Sequence, residues 1–133
     1  MIHSTTHRLR FNDTDQLGHV NNAVFAVMLE QGRSELAREA GLPTQSDAAF
    51  LVIVRLELDF LREMAWPGAV TVETEVARLG ARSFTLRQRL VSNSELCARA
   101  VSVLVVLDRV ARRALPLDGP WRDSLTRWLE PDA

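Results

Sequence analysis

The apolar positions of this chain form one block of helical period, followed by several of period two. Ala23-Val24-Phe25-Ala26-Val27-Met28-Leu29 is the longest uninterrupted apolar run. It follows a stretch, Asn12 to Asn22, crowded with turn formers. Asn21 or Asn22 suits the N-cap of a helix, Gly41 suits its C′ position, and Pro43 comes two residues later. The expected helix has about 19 residues and is roughly 28 Å long. Ala23, Val27, Glu30, Ser34 and Ala37 recur in it at spacings of three and four, so they are expected to share the face that packs on a sheet. Glu30 stands out in that stripe. An unpaired carboxylate on a buried face is costly, so it needs a partner or a role.

Residues 3–11 predict a first strand. After a loop from Thr44 to Ala49 the period changes to two. Phe50-Leu51-Val52-Ile53-Val54 begins a strand whose continuation, Arg55 to Phe60, alternates with Leu56, Leu58 and Phe60 inward. Pro67-Gly68 marks a turn. Val70, Val72, Thr74 and Val76 line one face of the next strand, with Glu73 and Glu75 opposite. Leu79-Gly80-Ala81 predicts a hairpin into a strand with Phe84, Leu86, Gln88 and Leu90 on one side, and Ser92-Asn93-Ser94 turns the chain again. Residues 96–107 form the last long strand, central and buried on both faces at its end. Trp121 to Leu129, after Pro120, predicts a short C-terminal helix. One long helix followed by sequential antiparallel strands describes an α+β layer. Because the helix starts apolar nearly all round, a curled sheet is expected to cover it on more than one side.

A chain of 133 residues is most simply one domain, 1–133. Its net charge of −1 argues against nucleic acid as a partner. All sixteen basic residues are arginine, and lysine and tyrosine are absent, which excludes Schiff-base chemistry on lysine and acid catalysis by a phenol. The lone Cys97 makes no internal disulfide. The N-terminus lacks the apolar core of a secretory signal and no run is long enough to span a membrane, so the expectation is a soluble cytoplasmic protein. His3 and His7 are too few for a metal site, and neither a metal nor a cofactor is expected. Trp66, Trp121, Trp128 and Cys97 are expected to pack.

The chemistry concentrates where the turn-rich loop meets the helix. The first N–H groups of a helix lack intrahelical partners and carry partial positive charge. Facing a pocket, they can hold a carbonyl oxygen that is becoming negative. Asp15, His19, Asn21 and Asn22 lie within eight residues of one another at that end. A carboxylate, an imidazole and two carboxamides there make a site for acyl chemistry. Asp13 is expected to serve the turn.

The pattern Asp15-x-x-x-His19-Val20-Asn21-Asn22-x-x-Phe25, with Glu30 following, resembles hotdog-fold acyl-CoA thioesterases of the 4-hydroxybenzoyl-CoA thioesterase-like kind, in the branch with an "HVNN" box. The stretches Leu58-Asp59-Phe60-Leu61-Arg62 … Pro67-Gly68 and Arg78-Leu79-Gly80-Ala81-Arg82-Ser83-Phe84 resemble the same family, from about Arg8 to Leu117. The resemblance implies a five-stranded antiparallel sheet wrapped around a long central helix, and subunits joined edge to edge as a homodimer or homotetramer with active sites at the boundary. It implies Asp15 as the catalytic carboxylate, either a general base toward water or a nucleophile, and the Asn22 amide as the oxyanion donor. This chain has Phe25 where the family often has Tyr, and Asn22 where a related branch has His.

Around that core several roles stay open. His19 either orients Asp15, lines the acyl pocket or makes a local structural bond. Asn21 is expected mainly as a structural hydrogen-bonder, with Val20 and Phe25 beside it lining the substrate. Glu30 is either a second catalytic carboxylate or the partner of an arginine such as Arg33. Arg78, Arg82, Arg87 and Arg89 cluster on one hairpin; Arg82 with Ser83 is expected either to hold coenzyme A phosphates or to belong to a solvated face. The substrate is expected to be a small acyl-CoA or an acyl-carrier-protein thioester. The alternatives are a hotdog enoyl-thioester hydratase or dehydratase, and a non-catalytic acyl-thioester binding protein.

Overall fold

The structure, a computed structural model, describes residues 1–44 and 48–131. Its elements are β1 (His3–Arg8), α1 (Asn22–Glu39), β2 (Ala49–Phe60), β3 (Ala69–Leu79), β4 (Phe84–Ser92), β5 (Glu95–Asp108) and α2 (Gly119–Thr126). The strands form one antiparallel sheet in the order β1-β3-β4-β5-β2. This is the α+β hotdog arrangement. Part of the loop expected from Thr44 to Ala49 lies outside the described residues.

Both ends of α1 are closed as the turn chemistry requires. Asn21 is the N-cap, its side chain accepting the Ala23 N–H at 2.8 Å. The other candidate, Asn22, is instead the first helical residue. At the far end Gly41 takes φ +74°, its N–H bonds the Arg38 carbonyl, and the Leu42 N–H reaches back to Ala37. That is the paired bonding of a Schellman stop, and the left-handed residue in it favours glycine. The β4–β5 hairpin turns on Asn93 and Ser94, both at positive φ, whose twist suits antiparallel strands.

The buried face of α1 is Phe25, Leu29, Gly32, Arg33, Leu36 and Ala37. The stripe expected from spacing is therefore displaced. Ala23, Glu30 and Ser34 are exposed and Val27 is 56% exposed, because α1 lies over β3 and β4 and leaves its flank toward β2 open. Gly32 sets the approach. A Cβ there would stand 2.4 Å from Val72 Cγ1, so only glycine lets helix and sheet come this close. Opposite it, β3 and β4 bury Val70, Val72, Thr74 and Val76, and Phe84, Leu86, Gln88 and Leu90, the faces that alternation predicted.

A polar layer divides this core. Leu29 and Phe25 pack with Val70, Val72 and Leu90 on one side, and Leu36 with Val76, Phe84 and Leu104 on the other. Between them the fully buried Gln88 donates to the Leu29 carbonyl and to Thr74 Oγ1, both at 3.0 Å, and accepts from Arg33 Nη1 at 3.3 Å. A Gln88→Leu variant would keep the volume and orphan all three partners. The expected loss is about 2–3 kcal/mol, read as a lower denaturant midpoint at unchanged slope.

Three other expectations are corrected. β1 stops at Arg8, where Phe11–Asp13 forms a short 3-10 turn. Leu56 and Phe60 point to the helix side of β2, as alternation requires, yet are 40% and 48% exposed because β2 is an edge strand that α1 does not cover. The C-terminal helix runs Gly119–Thr126 with Pro120 inside its first turn, a position that wastes no N–H. Beyond it, the Val76 N–H donates to Trp128 O and the Glu130 N–H to Val76 O.

Candidate active site

The loop before α1 holds its two aspartates differently. Asp13 is buried, and its carboxylate accepts the Arg10 backbone N–H at 2.7 Å and Arg10 Nη2 at 3.1 Å. Its own carbonyl accepts the Asn21 N–H. It is a turn residue. Asp15 is exposed. Its N–H donates to His19 O, its carbonyl accepts from Gly18, and Oδ1 accepts the Leu17 N–H at 2.9 Å. Gly18 at φ +82° makes that turn possible. A Thr14–Val20 bridge closes the loop, and the Val20 N–H anchors it to Met64 O. Oδ2 of Asp15 makes no bond among the described residues.

Opposite this loop the chain leaving β2 completes a cleft of about 310 Å³. Asp15, His19, Asn22 and Phe25 line one wall, Phe60 and Glu63 the other, and Val20 also borders it. The ring of Phe25 meets that of Phe60 edge-on, with centroids 5.2 Å apart. At the rim of α1 the Ala23 N–H is capped by Asn21 and the Val24 N–H bonds the Asn21 carbonyl. The Asn22 N–H donates to no described residue. An open helix-end amide and a carboxylate thus border one cavity.

The rest of the expected set divides. His19 is half-buried, and its side chain turns to Glu63 (Nε2 to Oε2 3.0 Å) rather than to Asp15, which it holds only through its backbone carbonyl. Asn21 spends its carboxamide on the cap. Glu30 lies outside the cleft, on the open flank of α1 next to Arg33. Burial lowers the pKa of Arg33 from the usual guanidinium value and the charge of Glu30 opposes this. Arg82 and Ser83 sit on the β3–β4 turn, where Arg82 Nη1 donates to Ala114 O and Ser83 O accepts the Gly80 N–H. The sheet register pairs Phe84 with Leu104, and Leu90 with Ala98, which faces Phe60. Arg82, before the start of β4, is therefore about eight residues, more than roughly 20 Å, from the cleft along β4. Arg87 pairs with Glu130 and Arg89 with Glu73, so neither is a free phosphate ligand.

Phe60, which alternation read only as inward, and Glu63 are cleft residues that spacing did not assign to the site. The stretch Leu58 to Arg62 carried a family signal, but no local pattern says that it closes on residue 15. Cys97 is buried, and burial pushes its thiol up. It stays a protonated core thiol rather than a nucleophile. Among the described residues no group of three His, Cys, Asp or Glu is placed to hold a metal ion, and no helix is long and apolar enough to cross a membrane.

Residues 9–129 match the thioesterase-like superfamily, and the chain belongs to that family. Among its relatives is the long-chain acyl-CoA thioesterase FadM of Escherichia coli, 26% identical over 128 residues that cover 92% of this chain and 96% of FadM. The structure of a predicted thioesterase from Bacillus stearothermophilus superposes with a TM-score of 0.89 at 29% identity, covering 98% of each chain. The Staphylococcus aureus protein SAV2348, solved in complex with CoA, also reaches 0.89 over 96% of this chain and 84% of its own, but at 13% identity it shares the fold alone.

Proposed function

We propose that this protein is an acyl-CoA thioesterase, releasing a free acid and coenzyme A at the cleft between Asp15 and the N-terminus of α1. The observation that carries this reading is the pairing, on one cavity, of a carboxylate with an oxygen to spare and a helix-end amide without an internal partner. The thioester carbonyl would sit with its oxygen at the Asn22 N–H, which favours negative charge as the carbonyl carbon becomes tetrahedral. Asp15 either takes a proton from an attacking water or attacks through Oδ2. In the first case water adds to the carbonyl, the C–S bond breaks, and the proton held by Asp15 passes to the leaving thiolate. His19, held by Glu63, would border the acyl group with Val20 and Phe25. The family and its acyl-CoA thioesterase relative favour hydrolysis over hydration or mere binding.

The exposed apolar edge of β2, with Ile53, Val54, Leu56 and Phe60, supports a homodimer joined there edge to edge. Antiparallel pairing of two β2 edges would bring one copy's β3–β4 turn toward the other's cleft, so Arg82 and Ser83 would serve coenzyme A phosphates only across the boundary. Arg82→Ala is expected to raise KM about tenfold with little change in kcat; an unchanged KM would remove it from the site. The reading as a whole is tested by incubation with saturated, enoyl and aromatic acyl-CoAs, following free thiol and enoyl absorbance. Thiol release supports hydrolysis, enoyl change without thiol a hydratase, and binding with neither a carrier.

A further inference from the structure

The cleft at the N-terminus of α1 has an apolar floor and a polar mouth. Val20 and Phe25 are 3% and 2% exposed, whereas Asp15, Asn22 and Glu63 are exposed and His19 is half-buried. An acyl group belongs on the apolar side, so the sulfur and whatever it carries leave past the mouth. There Asp15 and His19 oppose each other across a short antiparallel turn. The Thr14–Val20 bridge carries the bonds from the Asp15 N–H to His19 O and from the Asn21 N–H to Asp13 O. Residues 15 and 19 are the next opposed pair, and such residues project to one side with Cβ atoms roughly 5 Å apart. From the other wall Glu63 Oε2 meets His19 Nε2 at 3.0 Å, while Arg62 pairs with Glu95 at 3.2 Å. Asp15, Arg62 and Glu63 are the charged groups that line the cleft with His19. An ionised carboxylate only accepts, so Nε2 carries a proton, and Nδ1 makes no bond among the described residues. The imidazole is thus fixed through one nitrogen and open at the other, beside the carboxylate of the proposed reaction.

We infer that His19 relays the proton to the departing sulfur, and that Glu63 is the positioning residue that holds the imidazole for that transfer. This rests on the thioesterase reading. As the C–S bond breaks, its electron pair stays on sulfur and takes the Nδ1 proton, while the Nε2 proton stays on the Glu63 side. The imidazole regains a proton from Asp15 where Asp15 has acted as base toward water. Where Asp15 has attacked directly, the proton comes from the water that opens the anhydride. Either way one water enters, and a free acid and a thiol leave. Histidine suits this part because its side chain exchanges a proton near neutral pH. The thiolate of coenzyme A is a basic alkyl thiolate, for which the transfer matters; a nitro-substituted aryl thiolate leaves without a proton.

The test varies the leaving group. The natural protein, His19→Gln and Glu63→Ala are compared on the acyl-CoA hydrolysed fastest and on the 4-nitrothiophenyl thioester of the same acid. His19→Gln is expected to lose about 10²-fold in kcat on the acyl-CoA, the lower end for a general acid. On the nitrothiophenyl thioester it is expected to stay within a few-fold of the natural protein. Glu63→Ala is expected to show the same split at smaller amplitude, and Glu63→Gln, which keeps an oxygen for Nε2, to recover part of it. Should His19→Gln fail to fold, His19→Ala with imidazole added is the second variant, with recovery expected on the acyl-CoA alone. Equal losses on both thioesters, or no loss on either, would overturn the inference. A split in His19→Gln that Glu63→Ala does not share would overturn the part given to Glu63. No thiol from either thioester with the natural protein would overturn the thioesterase reading, and this inference with it.

Discussion

Asp15→Asn is expected to lower kcat for acyl-CoA hydrolysis by roughly 10²–10⁴, the range for removal of a general base, while leaving the fold in place. Asparagine keeps the acceptor oxygen that bonds the Leu17 N–H, so the turn that presents residue 15 survives. Asp15 is exposed, and its replacement is expected to change stability by no more than about 0.5 kcal/mol. What disappears is the negative charge and proton affinity at the open oxygen. A melting curve matched to that of the natural protein, together with a thiol-release assay, checks both halves. Activity within a few-fold of the natural protein would remove Asp15 from the chemistry. Single turnover in heavy-oxygen water tests the nucleophilic mechanism, since label entering the Asp15 carboxylate marks an anhydride opened at that carbonyl, whereas label in the acid product arises from either mechanism.

Asn22→Pro is expected to cost about 10²–10³ in kcat at little structural expense. Proline is tolerated at the first helical position because the N–H it lacks has no helical partner there. The residue before it must be extended, and Asn21 already is, at φ −60° and ψ 140°. The substitution therefore deletes one hydrogen atom at the proposed oxyanion position and leaves the Asn21 cap on Ala23 untouched. Asn22→Ala is the companion variant, removing the carboxamide and retaining the amide. A fall in kcat confined to the proline variant assigns the effect to the backbone N–H. Equal falls in both would assign it to the side chain, and no fall in either would leave the helix end without a catalytic part.

Where one element meets itself, the sequence was a sufficient guide. Val70, Val72, Thr74 and Val76 alternate inward because a pleat has period two, and Asn21 and Gly41 close α1 because free helix ends need acceptors and a left-handed residue. Glu73 and Arg89 face solvent together for the same reason. Readings failed where a second element had to be known. Val27 and Glu30 carry helical spacing as good as that of Leu29 and Leu36, and only the placement of α1 over β3 and β4 decides which stripe is buried. Gly32 and Gln88 looked unremarkable in the chain. Gln88 meets Leu29, Thr74 and Arg33 from three other places.

The candidate site divides in the same way. The loop residues Asp13, Asp15, Gly18, Asn21 and Asn22 are close in the chain, so their turn and cap chemistry could be read locally, and the family pattern pointed to Asp15 among them. Phe60 and Glu63 reach the same cleft from across the sheet, and Arg82 is carried to the other end of it. The sequence by itself determined the elements, their caps, the inward faces of β3 and β4, and the loop that presents Asp15. The tertiary structure alone decided which flank of α1 stays open, which residues close the cleft, and that Arg33 meets Gln88, because contact across the sheet depends on register and helix placement, which neither periodicity nor propensity encodes.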